Sequence, residues 1–253
     1  MVVAAAATVA AASASARGPA RPLSSSVGVM AEELQDIVIV GAGGLGREVS
    51  EWVEDINEVA PTFRLLGFLD DNATRHGERC HDVTILGGVD WVAERTRTVG
   101  VVVAIGSPAA KRRVTERLRT LGVTRFPVIR HPQAIIGRFV EIGEGTIVCP
   151  GAILTTDIRI GRFVAINFDL TVGHDSRVDD YALLAPGVHI SGYVHIGEGC
   201  ELGAGATVVP SVAIGAWSIV GAGATVTGPL PANCTAVGTP ARPIKTRPEG
   251  WHL

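Results

Sequence analysis

The sequence predicts a small α/β unit followed by a three-sided parallel β-coil, and three observations carry that prediction. Residues 36–130 alternate between β-branched runs, glycine turns and apolar residues at helical spacing. Residues 136–226 place an aliphatic side chain at every sixth position without a break. Aromatic residues make up only 5% of the 253 while glycine reaches 31, a composition suited to narrow aliphatic cores and frequent tight bends.

The whole chain sets further bounds. An apolar fraction of 47% allows a substantial core, and a formal charge of −3 with no basic run speaks against nucleic acid or an anionic membrane as partner. Cys80, Cys149, Cys200 and Cys234 are scattered, with no C-x-x-C pair and no metal-ligand spacing, which predicts buried thiols in a reducing, cytoplasmic setting. Residues 1–35 are rich in Ala and Ser, with no acidic residue before Glu32, so a disordered leader is expected there. No lysine or arginine precedes its apolar run as a signal peptide requires, Arg17 and Arg21 among serines leave a transit peptide open, and Met30 offers an alternative start.

The α/β unit begins with "DIVIV", a short β-branched run ending at Val40, followed by a glycine turn and by Val49, Trp52, Val53 and Ile56 at helical spacing. That order is strand, turn, helix. Two more apolar runs, "RLLGFLDDN" and "VGVVVAIGS", read as strands, and "PAAKRRVTERLRTLG" as a second helix, so a mostly parallel sheet follows. Gly41, Gly43, Gly44 and Gly46 fit G-x-G-x-x-G after a strand, with Asp70 and Asp71 closing the next one. Such a loop points a helix N-terminus at phosphate and an acid at ribose, although about 95 residues is small for a whole dinucleotide fold and a bare βα turn explains the same glycines.

In the coil, Ile136, Ile142, Val148, Leu154, Ile160 and Ile166 open a series of sixteen aliphatic residues that runs to Val226. One inward side chain per six residues makes one flat face and one corner. Three faces close a coil of eighteen residues, and roughly five coils stack about 4.8 Å apart. Flat sides of that kind suit closed packing of copies, with threefold symmetry the natural expectation. Within this wall "VGHDS" sets His174 beside Asp175, either a catalytic base with its carboxylate or a polar pair at a bend.

The segments "IVIVGAGGLGREV", "GFLDDN", "VAIGSPAAKRRV", "HPQAII", the run from "INFDLTVGHDS" to "GAGATVVP", and "AVGTPARPI" resemble one group of the left-handed β-helix acyltransferases. It comprises the sialic-acid O-acetyltransferases and nucleotide-aminosugar N-acetyltransferases, and the likeness spans about residues 36–245. The resemblance implies a Rossmann-like acceptor domain over 36–132, a left-handed parallel β-helix over 133–245, and a tail over 246–253. It implies a homotrimer, with acetyl-CoA as co-substrate between neighbouring prisms, a nucleotide-linked sugar as acceptor, and no metal. His174 then falls at the position of the general base and Asp175 at that of its carboxylate partner, where the family more often carries Glu. By the same likeness Asn167 lies near the acceptor, and Ala204, Gly221 and Ala222 lie along the pantetheine arm. The glycine loop (Gly41, Gly43, Gly44) with Asp70 and Asp71 is assigned to the sugar nucleotide, and Leu45 replaces a frequent histidine.

The repeat adds its own contribution. Gly192 follows His174 by eighteen residues, one coil along, so it leaves room beside the ring, and its N–H is placed as a donor to a developing oxyanion. His189 and His195 raise a metal reading, but they lie six apart on consecutive faces and do not converge. Cys149 and Cys200 lack a neighbouring base, which favours direct transfer over an acyl-cysteine. The expected activity is acetyl transfer to a sugar amino or hydroxyl group; O-acetylation of sialic acid or a polysaccharide precursor, and a non-catalytic trimeric nucleotide-sugar scaffold, are the alternatives.

Overall fold

The computed structural model describes residues 34–253, so nearly all of the leader expected over 1–35 lies outside the described residues. Strand β1 (Gln35–Val40) is central, with Ile37, Val38 and Ile39 fully buried. It pairs in parallel with β2 (Phe63–Leu69) and, through Ile37 to Val40, with a strand at Gly100–Val103. Beyond β2 comes Val83–Gly87, also parallel, and then the short antiparallel strand Arg79–Cys80 at the edge. No apolar run announces that last strand, because a two-residue edge strand buries only Cys80.

Helix α1 (Gly44–Val59) buries Val49, Trp52, Val53 and Ile56, the stripe its spacing predicts. Helix α2 (Pro108–Thr120) starts where Ser107 Oγ accepts a hydrogen bond from Ala110 N and Pro108 takes the first turn, a favourable combination because proline has no N–H to leave unpaired.

From Ile135 onward the chain winds as a left-handed parallel β-helix in strands of two or three residues, the inner ones pairing in parallel with residues eighteen before and eighteen after. Ile136, Leu154, Val172, Ile190, Val208 and Val226 line the first face; Ile142, Ile160, Val178, Ile196 and Ile214 the second; Val148, Ile166, Leu184, Leu202 and Val220 the third. Most of these side chains are buried in one continuous core, each worth about 1.5–3 kcal/mol relative to exposure. Cys234–Val237 and the antiparallel strand Arg242–Thr246 extend the third face and cover its C-terminal end.

The corners repeat as regularly as the core. The residue three positions past each inward aliphatic is left-handed from Phe139 (φ +61°) to Gly223 (φ +65°), and nine of these fifteen residues are not glycine. Glycine's main use lies elsewhere, just after the aliphatic residue. A Cβ there would strike the next coil's backbone, 1.5 Å from Thr155 O at Gly137 and 2.5 Å from Ala222 N at Gly203.

Three edges result, and the α/β unit covers them unequally. The edge between the second and third faces carries Phe163, Tyr181 and Trp217, all buried. Phe163 stacks on Tyr181 (ring centroids 5.5 Å apart) and meets Phe126 edge-on, while Lys111 of α2 donates to Phe163 O at 3.0 Å. Farther along, His252 stacks on Trp217 at 3.6 Å and Arg112 reaches His252 and Glu198, which ties the chain's end to α2. On the edge between the third and first faces, Phe168 packs against Trp52 of α1, and Cys149 joins the same cluster. Of the edge between the first and second faces, Phe139 and Tyr193 stand exposed. The described residues form one compact unit.

Candidate active site

His174 stands on that last edge, two residues past Val172, with about half of its side chain open to solvent. Its Nδ1 lies 2.8 Å from Asp175 Oδ2. A carboxylate accepts only, so Nδ1 is the donor, and in the neutral ring Nε2 keeps its lone pair, with no partner among the described residues. Asp175 occupies the left-handed corner (φ +56°), a conformation aspartate tolerates well, and its short side chain closes on the ring before it.

Gly192 lies against the imidazole. A Cβ at that position would be 2.7 Å from His174 Cε1 and 2.8 Å from Nε2, so only glycine leaves the ring where it is. Among the described residues, Gly192 N–H donates to no protein group, whereas the neighbouring Ser191 and Tyr193 amides are bonded to Val208 O and His174 O. Ser176 Oγ fastens this corner from within, contacting Ser191 O at 3.1 Å and accepting from Val194 N. Beside the same edge a shallow depression of about 390 Å³ is lined by Phe139, Asp157, Asp175, Arg159 and Arg177.

Asn167, Ala204, Gly221 and Ala222 are elsewhere. Each follows a third-face strand, so all four lie on the edge between the third and first faces, one corner away from His174. Asn167 Nδ2 is held by Leu184 O at 2.8 Å, which makes it a rung-to-rung tie with its Oδ1 left over. Ala204 and Ala222 are exposed, and a Cβ on the adjacent Gly205 or Gly223 would meet nothing within 4 Å, so this edge is bare enough for a chain-like ligand. The α/β unit stands over the same edge through Trp52 and Phe168, and α1 carries the glycine loop at its start.

In that loop the glycines divide by role. Gly41 (φ +100°) and Gly46 are demanded by packing, since a Cβ would sit 2.8 Å from Ala104 O and 1.8 Å from Gly41 O respectively. Gly43 and Gly44 face open space, and no side chain caps α1, which leaves its first amides for an anion. Asp70 bends back to the loop, accepting from Ala42 N at 3.2 Å, with Arg75 Nη1 3.6 Å from the same oxygen. Asp71 turns the other way, to Val89 N and Arg117.

The remaining polar candidates are engaged locally. His189 meets Thr171 Oγ1 on the first face and His195 meets Asp179 on the second, both at 2.8–2.9 Å, and among the described residues no group of three metal-ligating side chains gathers. The four cysteines are buried and unpaired; burial pushes the Cys149 thiol far up and that of Cys200 to about 12, which makes both poor nucleophiles. No described helix is long and apolar enough to cross a membrane. Sequence reasoning missed Tyr193, whose ring meets the His174 imidazole edge-on at 5.2 Å. Counting eighteen residues on from Asp175 would have found it.

Comparison with known proteins matches two separate stretches of the chain. Residues 36–118 match the PglD N-terminal domain and residues 193–228 the bacterial transferase hexapeptide (six repeats). The GDP-perosamine N-acetyltransferase of Escherichia coli O157:H7 is 33% identical over 216 residues, covering 83% of this chain and 96% of that protein. A histidine-to-asparagine variant of perosamine N-acetyltransferase from Caulobacter crescentus, solved with CoA and GDP-perosamine, superimposes with TM-score 0.76 at 30% identity, over 83% of this chain and 97% of that one. The acetyltransferase domain of PglB from Neisseria gonorrhoeae FA1090, solved with acetyl coenzyme A, gives TM-score 0.77 at 28% identity, over 84% and 100%. With a PglD-type domain ahead of a hexapeptide-repeat coil and this identity over most of its length, the chain belongs to the sugar N-acetyltransferases of the left-handed β-helix family.

Proposed function

We propose that this enzyme transfers the acetyl group of acetyl-CoA to the amino group of a nucleotide-linked amino sugar, with His174 as general base. The observation that carries the reading is the imidazole itself. Nδ1 is tied to Asp175, and among the described residues neither Nε2 nor the amide of the glycine under the ring has a partner. The acceptor amine attacks the thioester carbonyl and Nε2 removes its proton as the C–N bond forms. Asp175 steadies the imidazolium, the Gly192 N–H donates to the oxyanion, and the imidazolium returns the proton to the departing thiolate. The buried thiols favour this direct route over an acyl-cysteine.

The division between edges supports assembly into a closed homotrimer. One chain's His174 edge lacks the small-residue track, and its track edge, the one Phe168 shares with α1, lacks among the described residues an exposed histidine paired to a carboxylate. Bringing His174 of one copy to the Ala204 and Ala222 edge of the next completes the site and sets three equal sites around a threefold axis. Gly43 and Gly44 then hold the nucleotide phosphates, with Asn167 Oδ1 facing the sugar. That both relatives named for GDP-perosamine act on an amino sugar favours nitrogen over oxygen as acceptor atom.

Thiol release from acetyl-CoA, followed over a panel of UDP-, dTDP-, GDP- and CMP-linked sugars and their 4-amino forms, tests the reading. Release that requires the amino form is the expected result. Release with hydroxyl sugars alone would assign an O-acetyltransferase, and acetyl-CoA binding without release from any sugar would leave a scaffold.

A further inference from the structure

Resting on the reading of His174 as base, we propose that Tyr193 is a positioning residue that holds the His174 imidazole in its working rotamer. Five aromatic residues occupy left-handed corners of this coil: Phe139, Phe163, Tyr181, Tyr193 and Trp217. A bulky side chain is disfavoured at positive φ, so each placement needs an offsetting gain. Phe163, Tyr181 and Trp217 have one, since all three are buried, at 1%, 7% and 6% exposure, under the α/β unit and the chain's end. Tyr193, at φ +58°, has no such cover within its own chain, where it remains 61% exposed. Phe139 is open as well and borders the depression beside Asp157 and Asp175.

What Tyr193 gains is a partner. It sits one coil on from Asp175, where the N–H to His174 O bond of 2.9 Å is the one most corners of the repeat make, but its ring stands perpendicular to the imidazole at 5.2 Å. The imidazole is half open to solvent, and its one side-chain hydrogen bond runs to the adjacent, equally open Asp175. Gly192 bounds the ring on one side without gripping it. Tyr193 supplies a second wall from the same chain, so the ring keeps Nδ1 on Asp175 and Nε2 aimed outward. An aromatic pair of this geometry is favourable beyond its buried area, and a catalytic group held in one orientation reacts faster than one that must find it.

The test uses Tyr193→Asn and Tyr193→Phe in the full-length protein. Asparagine suits a left-handed corner and removes the ring; phenylalanine keeps it. Crystal structures of both read the imidazole directly, whatever the acceptor, and the rate is read in single turnovers with saturating GDP-perosamine and acetyl-CoA. The proposal expects the His174 ring of Tyr193→Asn to spread over more than one rotamer, with the chemical step slowed about tenfold and KM, read separately in the steady state, unchanged. Its melting temperature and assembly size stay at or above those of the parent, and Tyr193→Phe restores both ring order and rate. An ordered imidazole in Tyr193→Asn would overturn it, as would a rate loss matched by falling stability or dissociation, which would make Tyr193 a packing or interface residue. The underlying reading fails separately, if His174→Ala turns over at the parental rate in the same assay.

Discussion

Two edges of the same coil share a backbone and differ in what stands on it. At the edge under α2 and the chain's end the left-handed corners hold Phe163, Tyr181 and Trp217, packed and buried. At the His174 edge the equivalent corners hold Phe139, Asp157, Asp175, Tyr193 and Ser211, with His174, Asp175 and Tyr193 open to solvent. The repeat fixes the corner and leaves its occupant free, so one edge is spent on cohesion and another stays open for the chemistry proposed above. Substitutions on the two edges therefore fail in different ways.

The largest expected effect is on the chemical edge. His174→Ala should lower kcat about a thousandfold, within the range of a lost general base, and leave the melting temperature unchanged because the side chain is half exposed. On the packed edge Phe163→Ala reverses the pattern. It empties the space between Phe126 and Tyr181 and should cost about 3–5 kcal/mol in denaturant unfolding, while kcat per folded molecule holds. Gly192→Ala sharpens the contrast, since one methyl group at 2.7–2.8 Å from the imidazole forces the ring aside. About a hundredfold loss in kcat with a parental unfolding curve is the expected outcome.

The most gradual effect is a pH slope. Burial lowers the Lys111 ammonium to about 7, with Phe163 O its hydrogen-bond acceptor. The folded-state value lies below the unfolded one, so burying the charge costs stability in full below pH 7. Above pH 7 the folded form has shed a proton that the unfolded chain still binds, and stability rises with pH up to about 10, by at most about 1.4 kcal/mol per unit. Thermal unfolding followed from pH 7 to 9.5 should show this rise, and Lys111→Met should flatten it. An identical slope in the variant would remove Lys111 as its source.

Much of this was legible in the sequence because the coil has one period. The sixfold aliphatic series predicts the faces, and the eighteen-residue spacing from His174 to Gly192 predicts that the two meet. What the period does not carry is cover. Nothing in the spacing of Phe163, Tyr181 and Trp217 says that α2 and His252 lie over them while Tyr193 stays bare, since that depends on where the α/β unit docks. Whether the aspartate at 175 reaches the ring depended on the corner's φ angle. The turn of Asp70 toward Ala42 and of Asp71 toward Arg117 was likewise beyond two adjacent acids read in one dimension.

The central claim is that base and cofactor track come from different edges, hence from different copies. Mixing subunits tests it. His174→Ala chains, which keep the track, are refolded together with Ala204→Trp chains, which keep the base but block the track, each preparation being inactive alone. At equal proportions about a quarter of the junctions pair an intact base with an intact track, so about a quarter of parental activity should return. Mixed assemblies that form and stay inactive would place base and track within one chain and contradict the account.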